Sequence, residues 1–204
     1  MSDQRDDIGA GADRRVRADA QRSIDSLLQA ALEVFAVSGV DAPVREIAEK
    51  AGVGIGTVYR HFPQRADLIA AVFRREIDAC ADAALTLAAE QAPFEALASW
   101  MQRYAGFVTT KRGLATALHS GDPAYDALPI YFDQRLRPAV QQLVETAIAA
   151  GEVRADVDTG EILTAVAGLC SAGAGHPPGY AQRMVALLAD GLRYGAKRSP
   201  DASS

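Results

Sequence analysis

In the stretch AGVGIGTVYRHF, residues 51–62, three glycines run ahead of a compact polar cluster. Thr57, Tyr59, Arg60 and His61 are types that bond phosphate oxygens or base edges, and arginine can address guanine through two parallel hydrogen bonds. Glycine lets a backbone and a helix N-terminus come close to an anionic surface. Taken singly, His61 reads as a structural histidine and Tyr59 as a core aromatic with its hydroxyl at the surface. Together they point to nucleic acid.

Such a cluster needs an element to present it. Ile24, Leu27, Leu28, Ala31, Leu32 and Phe35 recur at helical spacing, which predicts a first helix ending after Ser38 at Gly39. Pro43 suits the first position of a second helix, where Val44, Ile47, Ala48 and Ala51 repeat at i, i+3, i+4 and i+7 up to Gly52. A third helix must be short, from Gly54 to His61, because Pro63 pushes Phe62 out of the helical region. Two short helices joined at Gly52 have the layout of a helix-turn-helix, whose second helix enters the major groove of DNA. Ala48 is small where the helices must approach, Gly52 permits a left-handed turn, and Val58 can bury against both.

The whole chain sets limits on this reading. Its 204 residues suffice for a large core, and its 49% hydrophobic and 23% charged composition is that of a globular protein. The net charge is -5, but residues 14–65 hold eight Lys or Arg against six Asp or Glu, so the cluster sits in a locally basic segment of an acidic chain. Residues 1–13 are polar and acidic and are expected to form a disordered tail, as are 196–204. Cys80 and Cys170 lie far apart in alanine-rich stretches, which suggests reduced thiols rather than a disulfide framework. No apolar run approaches a membrane span and the N-terminus has no signal-like apolar region, so a cytoplasmic, nucleoid-associated protein without a membrane partner is expected.

Beyond Pro63 the periodicity stays helical, giving an all-α chain. A long helix is predicted from Arg65 to about Glu90, and another from Pro93 to about Arg112, interrupted at Gly113 and followed by a short helix to His119. After the turn signal at 121–123, a helix from Pro129 to about residue 150 carries Pro138, expected to kink it. Helices at about 158–172 and 178–195 follow. The expected domains are thus a helix-turn-helix head over 14–64 and a helical body over 65–195.

Residues 24–73 resemble the DNA-binding domain of the TetR/AcrR family of bacterial transcriptional regulators, through AALEVFAVSG, IAEKAGV, GTVYRHFP and the following Asp-Leu, in matching order and spacing. The resemblance implies a three-helix head, a long fourth helix leading to an effector-binding body, and a homodimer built by the last two helices. It places Thr57, Tyr59 and His61 at backbone contacts, Arg60 at the variable base-reading position, and Arg45 and Arg65 at positions that commonly meet phosphate. Two departures matter: Gly54 and Ile55 replace the Ser and Lys that open many such recognition helices, and Ala42 and Pro43 replace a Ser or Thr cap. Backbone N–H groups at Gly54 and Gly56, or Ile55 against a thymine methyl, are alternative substitutes. Arg14, Arg15 and Arg17 read either as a minor-groove arm or as a solvated charged tail.

In the body, Phe94, Leu97, Trp100, Met101, Tyr104, Phe107 and Val108 form one broad helical face, read either as plain core or as a pocket wall. Trp100, Tyr104, Phe107, His119 and Tyr131 are the candidate effector contacts, since each joins bulk to a polar atom or a stacking surface. Ile162, Leu163, Val166 and Leu169 on one helix, with Met184, Val185, Leu188 and Leu192 on the next, are the candidate dimer stripes, and burial inside the monomer is the alternative. A ligand-responsive repressor binding a pseudo-palindromic operator is the leading expectation. An architectural DNA-binding dimer is the runner-up. An all-helical enzyme ranks last, because the sequence shows no HExxH, nucleophile elbow or phosphate loop, and no cofactor or metal is expected.

Overall fold

The computed structural model describes the backbone of residues 6–118, 120–172 and 176–196, and side chains within 21–109, 120–171 and 176–194. Among these residues every regular element is helical: α1 (Asp6–Ser38), α2 (Val44–Ala51), α3 (Ile55–His61), α4 (Arg65–Glu90), α5 (Pro93–Leu118), a 3-10 turn (Pro123–Tyr125), α6 (Leu128–Ala149), α7 (Thr159–Ala172) and α8 (Tyr180–Ala196). The fold is all-α, with an N-terminal helix-turn-helix head on a larger helical body.

Three boundaries depart from the sequence reading. The α1 backbone is already helical at Asp6, inside the stretch expected to be a tail. Acidic residues favour a helix start and the alanine-rich segment continues it. α5 runs unbroken through Gly113 to Leu118, because a lone glycine costs a helix only about 1 kcal/mol and its neighbours here are good helix formers. Pro43 caps α2 from outside, with φ -58° and ψ 134°, instead of opening it. His119 lies outside the described residues, as do residues 1–5 and 197–204.

α4 packs against α5 and α6, and α5 also meets α7 and α8, so α5 runs through the middle of the body. Trp100 is 0% exposed and its indole N–H donates to the Cys80 carbonyl at 2.9 Å. It stacks on Tyr104 at 5.3 Å, and Tyr104, Phe107, Phe73 and Phe132 continue the aromatic cluster. Burial pushes the Tyr104 hydroxyl well above its ordinary range and the Cys80 thiol up to about 12. Cys80 and Cys170 are both buried, and no disulfide joins them.

These observations bear on two readings that the sequence left open. Trp100, Tyr104 and Phe107 are buried in the single chain, in ring contact with one another or with Phe73 and Phe132. Of the dimer stripes, Ile162, Leu163, Val166, Val185 and Leu192 are buried within the single chain, while Leu169, Met184 and Leu188 are half-buried. The cause is shared: helical periodicity identifies an apolar face but says nothing about which neighbour covers it, and here α5 and its companions do. The outward faces carry other residues. On α8 Leu187 is 62% and Tyr194 74% exposed, with Gly191 between them. On α7 Thr164 and Gly168 are exposed one turn apart.

A polar latch joins α4 to α6. The Tyr131 hydroxyl donates to Asp78 at 2.7 Å, the Arg135 Nε donates to the same carboxylate at 2.8 Å, and a further Arg135 nitrogen reaches Asp82 at 2.8 Å. Tyr131, a candidate effector contact by sequence, is half-buried and bonds α6 to α4. Pro138 lies inside α6, which continues past it as one helix.

Candidate nucleic-acid interface

α2 ends because Gly52 adopts φ +69°, which L side chains rarely take. The Val53 N–H then reaches the Ala48 carbonyl at 3.0 Å and the Gly52 N–H reaches Glu49 at 3.1 Å, a paired bond pattern that satisfies the last carbonyls of α2 and turns the chain sharply. Ile47, Ala48 and Val58 are buried where α2 and α3 meet. Val58 fixes which side of α3 faces inward. Everything else on that short helix follows from it.

Ile55, Gly56, Tyr59, Arg60 and His61 are exposed and Thr57 is half-buried, with Ile55 46% and Tyr59 51% exposed. Large apolar or aromatic side chains left in water on one short helix call for a partner surface. Gly54 and Gly56 differ from Gly52 in kind. Gly54 has φ -70°, Gly56 is not among the positive-φ residues, and a Cβ added to either would meet nothing within 4 Å. Neither the backbone nor the packing of this chain requires glycine there. Gly56 also lies four residues before Arg60, on the same side of α3. Gly56→Ala is therefore predicted to leave the fold intact or stabilise it by up to about 1 kcal/mol, while weakening DNA binding several-fold. Thermal melts and fluorescence anisotropy on one preparation check both signs, and equal DNA affinity would show that close backbone approach is not needed.

The basic residues fall into two groups. Arg45 is highly exposed and pairs with Glu49 one turn on at 2.9 Å, a contact that water screens and phosphate can replace. Arg65 is half-buried over the Phe35 ring, its Nε donating to the Val40 carbonyl at 2.5 Å and a terminal nitrogen to Ala42. These bonds tie the first turn of α4 to the α1–α2 loop. Arg65 holds the head on α4, a role that spacing alone did not reveal. The neighbouring Gln64 and Asp67 form a reciprocal cap at the start of α4. At α2 no side chain caps the helix, in keeping with Ala42 and Pro43. The side chains of Arg14, Arg15 and Arg17 lie outside the described residues.

Residues 27–72 match the model of the bacterial regulatory proteins, tetR family, and residues 92–194 match that of the transcriptional regulator SbtR-like C-terminal domain. A solved TetR transcriptional regulator of Streptomyces coelicolor is 38% identical, with a TM-score of 0.73 over 83% of this chain and 98% of that one. The chain belongs to the TetR family of transcriptional regulators. A TetR transcription regulatory protein from Mycobacterium vanbaalenii is 35% identical, with a TM-score of 0.69 over 87% of this chain and 99% of that one. The helix-turn-helix regulator SrpR of Pseudomonas putida is 43% identical over 60 residues, which is 29% of this chain and 28% of SrpR. The match to that curated relative extends over less than a third of either chain, whereas the two solved structures match most of this one. No helix among the described residues is long and apolar enough to cross a membrane.

Proposed function

We propose that two copies of this TetR-family chain bind a pseudo-palindromic DNA operator through their α3 helices, repress transcription there, and release the DNA when a small molecule binds the body. The exposed face of α3, with Ile55, Tyr59 and Arg60 in water and two glycines that the fold does not require, carries the reading. Arg60 is the base-reading residue; Thr57, Tyr59, His61 and Arg45 bond the phosphate backbone, and Arg65 fixes the angle of the head. The outward face of α7 and α8 makes the dimer, with small residues Thr164 and Gly168 allowing close helix approach and Leu187 and Tyr194 supplying apolar area.

The Bacillus subtilis regulator FadR, which shares this fold at 17% identity and a TM-score of 0.62, was solved in complex with stearoyl-CoA. That supports a fold able to hold a ligand, without identifying the ligand of this chain. A metabolite and antibiotic collection screened by thermal shift, with release of operator DNA as the second readout, tests the proposal. Compounds that raise the melting temperature should also dissociate the complex, whereas an architectural DNA-binding protein would show no release.

Tyr59→Phe separates backbone contact from base reading. Loss of the hydroxyl is expected to weaken binding to all sequences alike, by about 1 kcal/mol, because a phosphate oxygen is the same at every base pair. Titration against operator variants checks this, and a loss confined to one base variant would move Tyr59 to the base-reading set.

A further inference from the structure

A groove of about 460 Å³ lies between the head and α4, lined by Asp25, Ser26, Gln29 and Glu33 of α1, Lys50 of α2 and Arg75 of α4. It is distinct from the α3 face and from the aromatic core of the body. Its charges are unevenly matched. Glu33 and Lys50 neutralise one another at 2.9 Å, and bonds from Gln29 and then Lys50 hold the Glu33 carboxyl below its ordinary range. Asp25 receives a hydrogen bond from the neutral Gln21 amide at 3.1 Å, which leaves its charge uncompensated by that contact. Arg75 has its Nη1 shielded from solvent without a hydrogen-bond partner. Glu76, half-buried beside it, attracts it through space.

An anion entering the groove would be repelled by Asp25, and a simple cation by Arg75. A molecule carrying both signs answers both. A guanidinium on a flexible stem with an unmet donor gains by turning toward a carboxylate, and an exposed carboxylate gains an ammonium. We infer that this groove binds a small zwitterion of the amino-acid class, with its amine on Asp25 and its carboxylate on Arg75. The volume suits such a molecule together with a few waters. Because the occupant touches α1 and α2 on one side and α4 on the other, it fixes the head against the helix that leads to the body. This consequence rests on the DNA-binding reading; occupancy itself does not.

Calorimetric titration of the DNA-free protein with glycine, 4-aminobutyrate and 6-aminohexanoate tests the site, with pentanoate and pentylamine as single-charge controls. Amide chemical shifts then locate the binding. Saturable binding by at least one amino acid is expected, with shifts at residues 25–33, 50–51 and 75, at least tenfold weaker binding of both controls, and at least tenfold weakening in Asp25→Asn and in Arg75→Met. If neither variant folds, Asp25→Glu and Arg75→Lys serve, each expected to retain part of the affinity. No saturable binding by any of the three, equal binding of pentanoate, or binding undisturbed by both substitutions overturns the inference. None of these outcomes depends on operator binding, so a failed site and a failed DNA-binding reading are told apart.

Discussion

Trp100→Ala is expected to lower the unfolding free energy by about 3–5 kcal/mol, the usual loss for removing a buried large aromatic side chain. The ring is 0% exposed, its N–H is bonded to Cys80 at 2.9 Å, and its face lies on Tyr104. Alanine would remove the packing atoms and leave the Cys80 carbonyl without that donor in a place where water does not reach. Trp100→Phe keeps most of the volume and should cost about 1–3 kcal/mol. In a domain of this size the alanine variant should melt roughly 6–20 °C lower. Urea unfolding followed by circular dichroism measures the change directly. A loss below about 1 kcal/mol, with effector response abolished, would restore Trp100 to the wall of a ligand cavity.

Leu187→Arg should divide dimer from monomer with little effect on the fold. Leu187 is 62% exposed in the single chain, so an arginine there remains solvated until a second copy arrives. In the proposed interface two symmetry-related charges would lose water without a partner, at a cost of about 3 kcal/mol or more, roughly a hundredfold in the dimer dissociation constant. Sedimentation velocity should show a monomer at concentrations where the parent protein is a dimer, with an unchanged helical circular dichroism spectrum. Leu192→Arg makes the contrasting case: Leu192 is buried within the chain, so that substitution should unfold the protein rather than dissociate it. An intact Leu187→Arg dimer would place the interface elsewhere.

The head was legible because its information is local. Gly52 and Pro63 delimit α3, and Ala48 and Val58 lie within ten residues of each other, so spacing specifies both the turn and the buried side. Helix order in the body was legible for the same reason. Contacts were not. Tyr131 and Asp78 are 53 residues apart and nothing in either neighbourhood announces their hydrogen bond. Arg65 has the type and position of a phosphate ligand, yet its nitrogens reach carbonyls that lie more than 20 residues earlier. The apolar stripes of α7 and α8 were real, but the same stripe serves a core or an interface. Only the packing assigns Val185 and Leu192 inward and Leu187 and Tyr194 outward.

The paired reading of DNA by α3 is tested most directly by selecting binding sites from a random duplex library with the parent protein and with Arg60→Ala, then measuring affinity for every single-base variant of the selected site. The parent should enrich an inverted repeat whose half-sites are centred one helical turn, about 10 base pairs, or a multiple of it apart. Arg60→Ala should lose about 1–3 kcal/mol on that site and relax its preference at one base pair, symmetrically in each half. An enriched site without two-fold symmetry, or an Arg60→Ala protein weakened equally on every base variant, would contradict the account.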